Sequence, residues 1–165
     1  MTHAAITGWG KCLPPAVLTN ADLATFLDTD DEWITSRTGM RERRVSHVPL
    51  ADLVHVASAR ALACAGLPAA ELDLIVVGAT IGDQICPNVA SGIQKRLGAA
   101  RAACMDVNTA CTSFLYGLSL ATALVLIATP AVTTGTADLP PVPRCQKVLG
   151  IVFCQPAPTG PHYLQ

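Results

Sequence analysis

Charge and aromatic rings are both scarce in this sequence: of 165 residues only 14% are charged and 4% aromatic, while 51% are hydrophobic. So much apolar material can bury a sizeable core, or one half of a larger one, which excludes a disordered tail as the whole molecule. Neither sign of charge is in excess. Eleven Lys plus Arg against twelve Asp plus Glu leave a formal charge of -1, and the sole basic cluster is Arg41, Arg43 and Arg44. Nucleic acid is therefore not an expected partner. The seven cysteines, Cys12, Cys64, Cys86, Cys104, Cys111, Cys145 and Cys154, contain no CxxC pair and no Cys/His spacing suited to zinc. Neither a metal site nor a disulfide-stapled scaffold is expected, and this usage suits a reducing cytoplasm. The stretch after Met1 lacks a basic flank, a long apolar region and a small-residue cleavage site, so no export signal is expected.

No charged residue occurs between Asp106 and Asp138, which raises the question of a membrane span. Asn108, Thr109, Thr112 and Ser113 crowd one end of the stretch and Pro130 closes the other. The apolar run between them is shorter than the roughly 20 residues a bilayer needs, so a helix buried all round in protein is expected instead.

Along the chain, strand and helix signals alternate. Ala4 to Gly10 reads as a strand ending in glycine turns, and Pro14-Pro15 forbids a helix there. Thr19 or Asn20 caps a helix whose Leu23, Phe26 and Leu27 share a face. Asp30, Asp31 and Glu32 open a second helix, stopped by Gly39, and an arginine-rich strand follows. Leu53, Val54, Ala57, Ala61 and Leu62 recur at helical spacing over 50–65, ended by Gly66 and Pro68. Leu74 to Gly78 has the unbroken apolar character of a buried parallel strand. A helix carrying Val89, Ile93 and Leu97 then stops at Gly98, ahead of a strand over 102–107. Such alternation predicts a layered α/β fold. Composition changes near Leu126: seven of the twelve prolines lie from Pro130 onward. Residues 1–126 are thus expected to form one domain, and 127–165 a poorly ordered, Pro-rich tail in which only Val148 to Phe153 suits a strand.

One residue has a chemically distinctive place. Cys111 lies a few residues after a predicted strand and just before the apolar helix Phe114 to Ile127. Unpaired N–H groups and the helix dipole favour a thiolate there and can stabilise an oxyanion on a thioester carbonyl. Position alone leaves a second reading open, in which Cys111 is a small core residue. Trp33 and Arg37 are open in the same way: taken singly they read as a buried aromatic anchor and a solvated helix-face charge.

Three blocks together carry a resemblance. Val17-Leu18-Thr19-Asn20-Ala21-Asp22-Leu23, then Asp28-Thr29-Asp30-Asp31-Glu32-Trp33-Ile34 with Arg37-Thr38-Gly39-Met40, and Asp106-Val107-Asn108-Thr109-Ala110-Cys111 with Phe114 and Tyr116-Gly117-Leu118 resemble beta-ketoacyl-[acyl-carrier-protein] synthase III. The similarity runs from about Ala4 to Val125, the N-terminal portion of such an enzyme. It implies a thiolase-like fold, the first half of a duplicated α/β motif, in a family whose full-length members are homodimers. It implies that Cys111 takes an acyl group from acyl-CoA, which a carbanion made by decarboxylating malonyl-acyl-carrier protein then attacks, in fatty acid biosynthesis. Acyl-CoA and acyl carrier protein are thus the implied partners, with no permanently bound cofactor. Trp33 and Arg37, assisted by Thr29, match positions that grip the nucleotide end of CoA.

The resemblance also marks what does not match. The family's second motif copy carries a histidine and an asparagine used in decarboxylation, and the only histidine after Cys111 is His162, in the Pro-rich tail outside any matching motif. Another CoA-contacting arginine belongs to the region where the similarity stops. Cys86 occupies a place where the family often has a bulky aromatic beside the acyl pocket. A truncated or frame-shifted reading after Leu126 is one expectation, with acyl loading but no condensation as its consequence. Apolar surface left without its partner layer would then meet water and drive association. The other readings are a non-catalytic partner or remnant of a full-length condensing enzyme, and an acyltransferase of secondary metabolism. Arg41, Arg43 and Arg44 suit either an acidic carrier protein or a charged edge strand.

Overall fold

A computed structural model describes residues 4–80, 82–127 and 148–149. They form two compact units, one of residues 13–49 and one of the described residues on either side.

The smaller unit is a two-stranded antiparallel ribbon with two short helices between its strands. β1 (Ala16–Thr19) pairs with β2 (Glu42–Val45) in the register Ala16 to Val45 and Thr19 to Glu42. Thr19 caps α1 (Asn20–Ala24) through a capping box: its hydroxyl accepts from the Asp22 N–H at 3.1 Å, and the Asp22 carboxylate accepts from the Thr19 N–H at 2.8 Å. The helix is shorter than its apolar pattern suggests. Thr25 turns its hydroxyl back to the Asp22 carbonyl at 2.6 Å and the Phe26 N–H takes the Leu23 carbonyl, a tight closure that ends the helix. Phe26 and Leu27 consequently lie beyond α1 and are exposed.

In α2 (Asp31–Thr38) the Asp30 carboxylate accepts from the Trp33 N–H at 2.7 Å, and Gly39 closes the C-terminus at φ +71°. Between ribbon and helices sits Asn20, only 2% exposed. Its amide donates to Asp31 Oδ1 at 2.7 Å and to the Met40 carbonyl at 2.9 Å, and its Oδ1 accepts from the Arg43 guanidinium at 2.5 Å.

The capping box sets a pH dependence. Hydrogen bonds from the Thr19 hydroxyl, and then from the Thr19 N–H, hold the Asp22 carboxyl below its ordinary value of 3.8. A lowered folded-state pKa means that this contribution is fully present above the unfolded pKa and is lost as the pH falls through the folded one. Thermal melts of wild type and Asp22→Ala should therefore differ at neutral pH, with wild type higher. The two curves should converge in acid, and a gap that persisted there would contradict the capping account.

The larger unit is layered. β3 (Leu74–Gly78) is buried throughout and lies between β4 (Ala103–Val107) and β5 (Val148–Leu149), parallel to both. α3 (Leu50–Ala65) and α4 (Val89–Leu97) meet on one face, where Val54, Leu62, Val89 and Ile93 share a core with Ile75 and Val77 of β3. Alternate residues of a strand face opposite ways. α5 (Ser113–Ile127) packs on β3 and β4, with Ser113 against Gly78. The expected glycine stops are present: Gly66 and Gly98 take φ values of +62° and +72°.

Both helices of the first face are capped from a distance. The Asp83 carboxylate accepts from the N–H groups of Leu50 and Ala51 at 2.9 and 2.8 Å. Asp106, on β4, does the same for Val89 and Ala90 at 2.8 and 2.9 Å, while Asn88 caps Ser91. An anionic side chain at a helix N-terminus satisfies free donors and meets the positive end of the dipole.

Two expectations are corrected here. Residues 4–10 form no strand. Their glycines let the backbone lie on α3 instead: a Cβ at Gly8 would stand 2.5 Å from the Ala61 carbonyl oxygen, and one at Gly10 would collide with the Ala57 carbonyl. The Arg60 guanidinium ties this segment down by donating to the Lys11 carbonyl at 2.6 Å. Helix α5, in turn, is not buried all round. Ser113 and Gly117 are buried, but Phe114, Leu115 and Tyr116 are 42, 62 and 60% exposed. Among the described residues the sheet covers one side of α5, and apolar surface at Phe114, Leu115 and Tyr116 faces water. Among the described residues no helix is long and apolar enough to cross a membrane. Of the expected strand over 148–153, residues 148–149 pair with β3, and 150–153 lie outside the described residues, as does the rest of the Pro-rich tail from 128 onward.

Candidate functional site

The sequence-predicted residues fall into two groups. In the smaller unit, Thr29 and Trp33 line an open concavity of about 420 Å³ together with Leu23, Leu27, Asp28, Ile34, Thr38 and Arg43. Trp33 is 53% exposed, which overturns its reading as a buried anchor. Spacing i, i+4 on α2 brings the Arg37 guanidinium over its ring, 4.8 Å from the centroid. That stacking holds the indole at the surface. Thr29 Oγ1 is buried yet has no hydrogen-bond partner, an orphan polar atom at the wall of the same concavity. Of the basic cluster, Arg43 is engaged with Asn20 and Arg44 lies 3.4 Å from Glu42.

Cys111 belongs to the larger unit. β4 ends at Val107, and a single 3-10 turn, Ala110–Thr112, leads into α5. Cys111 sits in that turn as a free, exposed thiol, so it is not a core residue. The residue before it is unusual. Ala110 has φ +49°, a left-handed conformation that costs a non-glycine residue about 1–2 kcal/mol. The bend is fixed by its neighbours. The Thr109 N–H donates to Ser113 Oγ at 2.9 Å, the Thr112 hydroxyl and N–H both reach the Thr109 carbonyl at 2.7 and 3.1 Å, and Ser113 is fully buried. Gly78 makes room, since a Cβ there would stand 3.1 Å from Ser113 Cβ.

The polar residues flanking Cys111 were legible in sequence only as a limit on the apolar run. In the fold they form the scaffold of the turn. At Cys104, on β4, burial is the main influence raising the thiol pKa, with Asp106 acting the same way against a hydrogen bond with Ser91.

No family model matches the chain. Individual relatives do. The beta-ketoacyl-[acyl-carrier-protein] synthase III 2 of Vibrio cholerae is 58% identical over 123 residues, which is 74% of this chain and 34% of that protein. Among solved structures, the 3-oxoacyl-[acyl-carrier-protein] synthase III of Aquifex aeolicus superposes with a TM-score of 0.70 at 37% identity, covering 74% of this chain and 40% of that one. The priming beta-ketosynthase of the R1128 polyketide pathway gives 0.69 at 33% identity, over 74% and 38% of the two chains. Parallel strands between helical layers, with a cysteine where a strand turns into a helix, are thus the thiolase-like α/β fold of condensing enzymes. The chain spans about a third of the length of the curated relatives it matches. It belongs to the beta-ketoacyl-[acyl-carrier-protein] synthase III family, as the N-terminal portion.

Proposed function

We propose that this chain carries the acyl-loading half of a condensing enzyme, in the cytoplasm, with Cys111 as the acyl acceptor. The observation that carries the proposal is the exposed Cys111 thiol at a strained strand-to-helix turn. The sulfur, as thiolate, attacks the carbonyl carbon of an acyl-CoA. The oxyanion so formed collapses, the bond to the CoA sulfur breaks, and the expelled CoA thiolate takes up a proton. The new thioester keeps the acyl group activated, because a thiolate is both a good nucleophile and a good leaving group. Trp33 offers the ring face opposite Arg37 to adenine, Arg37 supplies charge to phosphate, and the unpartnered Thr29 hydroxyl supplies a hydrogen bond.

Decarboxylative condensation with malonyl-acyl-carrier protein, a step of fatty acid biosynthesis, is the function proposed for the whole enzyme, with acyl carrier protein as second partner and a homodimer as its assembly. These 165 residues are proposed to load without condensing: the only histidine after Cys111, His162, matches no motif of the family's second half. The exposed stripe Phe114, Leu115 and Tyr116 favours a second reading, a non-catalytic partner that pairs with a full-length relative. Size-exclusion chromatography with and without that relative distinguishes the two. The likeness to a priming ketosynthase favours a secondary-metabolism acyltransferase, which substrate profiling of a full-length protein would identify.

Incubation of the full chain with acetyl-CoA should add one acetyl group by intact mass, mapped to Cys111. Trp33→Ala and Arg37→Ala should each raise the acetyl-CoA concentration for half-maximal loading about tenfold, the worth of one stacking or charged contact. Loading from the acetyl thioester of N-acetylcysteamine, which lacks the nucleotide, should not change. Equal losses with both donors would remove Trp33 and Arg37 from the CoA site, and an unmodified wild type would remove the proposal.

A further inference from the structure

The turn that presents Cys111 is held in part by a side chain to which the reaction above gives no role. Asn108 lies three residues before the sulfur, just past the end of β4. Its two polar atoms point to different segments: Nδ2 donates to the Thr80 carbonyl at 2.9 Å, and Oδ1 accepts from the Ala110 N–H at 3.5 Å. Thr80 follows β3, whose last residue Gly78 packs against Ser113, and the Ala79 N–H donates to the Val107 carbonyl at 3.2 Å. Asn108 thus braces Ala110, the one described non-glycine residue at positive φ, against the end of the neighbouring strand.

We propose that Asn108 is a positioning residue for Cys111, holding Ala110 in the left-handed conformation that turns the thiol outward. This deepens the reading of Cys111 as acyl acceptor and rests on it. Asn108 touches no reacting atom. Its part is to keep populated a backbone state that alanine disfavours on its own. Without the brace, Ala110 relaxes toward negative φ and the sulfur leaves the end of the helix, so a bound thioester meets a misdirected nucleophile. The rate of the bound complex should then fall while affinity for acyl-CoA, set elsewhere, is retained.

The test uses the full chain as wild type, Asn108→Ala, Asn108→Asp and the double variant Asn108→Ala with Ala110→Gly. Glycine takes positive φ without steric penalty, so it should replace the brace rather than the hydrogen bond. Loading from acetyl-CoA is followed by mass. Asn108→Ala should lose about tenfold in saturating rate, the worth of one hydrogen bond, with half-saturation unchanged within about twofold. Asn108→Asp keeps the acceptor for Ala110 but sets a carboxylate oxygen against the Thr80 carbonyl, so it should fall as Asn108→Ala does. The double variant should return to within about threefold of wild type; because glycine also relieves strain at a positive φ, thermal melts of the same proteins must show Asn108→Ala still folded at the assay temperature for the loss to count as misdirection of Cys111.

Alkylation of Cys111 by iodoacetamide, read on the same proteins, does not depend on acyl transfer. Its rate should shift in Asn108→Ala and return in the double variant. A wild type that alkylates but never loads would defeat the acyl-acceptor reading while leaving alkylation to decide the positioning role. Wild-type rates in Asn108→Ala, or no recovery with Ala110→Gly, would overturn the positioning role itself.

Discussion

Cys111→Ala should abolish acyl loading from acetyl-CoA, lowering its rate by about a thousandfold or more, the scale seen when a covalent nucleophile is removed. The expectation is selective. Cys64 and Cys86 are also free and exposed, yet Cys64 lies on α3, and Cys86 lies in the long loop from β3 to α4, ahead of the Asn88 cap rather than in a turn running directly into the helix. Cys64→Ala should therefore load as wild type does, and Cys86→Ala should still be acylated at Cys111. Cys104 is only seven positions from Cys111 in sequence, but it lies within β4, half-buried, where burial pushes its thiol pKa up. Cys111→Ser should retain at most slow loading, because a hydroxyl is far harder to ionise than a thiol and makes a less activated ester. Intact mass followed by peptide mapping reads all four variants. Acetylation of Cys111→Ala at the wild-type rate would place the chemistry elsewhere.

Asn20→Leu should destabilise the unit of residues 13–49 by about 2 kcal/mol, because a buried amide loses hydrogen bonds to two charged groups and a backbone carbonyl. Asn20 is 2% exposed, and its amide joins Asp31, Met40 and Arg43, residues drawn from the start of α2, the turn after it, and β2. Leucine has similar volume and no polar atom, so the carboxylate and the guanidinium would lose their shared partner. Chemical denaturation can be followed through Trp33, with Trp9→Phe removing the other tryptophan of the chain. The midpoint of the Trp33 transition should move to lower denaturant, and an unchanged midpoint would show that the three partners are satisfied without Asn20.

Local signals in the sequence were read correctly where their causes are local. Gly39, Gly66 and Gly98 ended their helices because each sits where φ is positive, and Thr19 and Asp30 capped theirs because a short polar side chain reaches the free N–H groups two or three residues on. The unbroken apolar run Leu74 to Gly78 announced a strand buried on both faces. What failed depended on partners. Residues 4–10 have strand-like composition, but their two glycines fit a helix surface, and nothing in a local window distinguishes the two fates. Phe26 and Leu27 continued the face of α1, yet one threonine hydroxyl ended the helix before them.

At the candidate site the cysteine was legible and its setting was not. A strand followed by an apolar helix places Cys111 at the junction on pattern alone. The positive φ at Ala110 has no sequence signature, since alanine is an unfavoured residue there and only its surroundings hold it. Asp83 and Asp106 were equally silent as caps: each closes a helix that begins more than ten positions away, through contacts that exist only once the sheet has formed. Trp33 and Arg37 were paired by family likeness, and the i, i+4 stacking gives that pairing a physical form.

The common direction of β3 and β4 gives the larger unit two unlike rims. Gly78 and Val107 finish side by side, so the segments bearing Thr80, Asn108 and Cys111 all emerge at the carboxyl rim. At the opposite rim the Asp73 carbonyl accepts from the Ala103 N–H, and the Ala102 carbonyl accepts from the Gln94 side-chain amide. Substitutions there should therefore act on melting temperature, whereas at the carboxyl rim a change at Thr80 or Asn108 would reach the turn that holds Cys111.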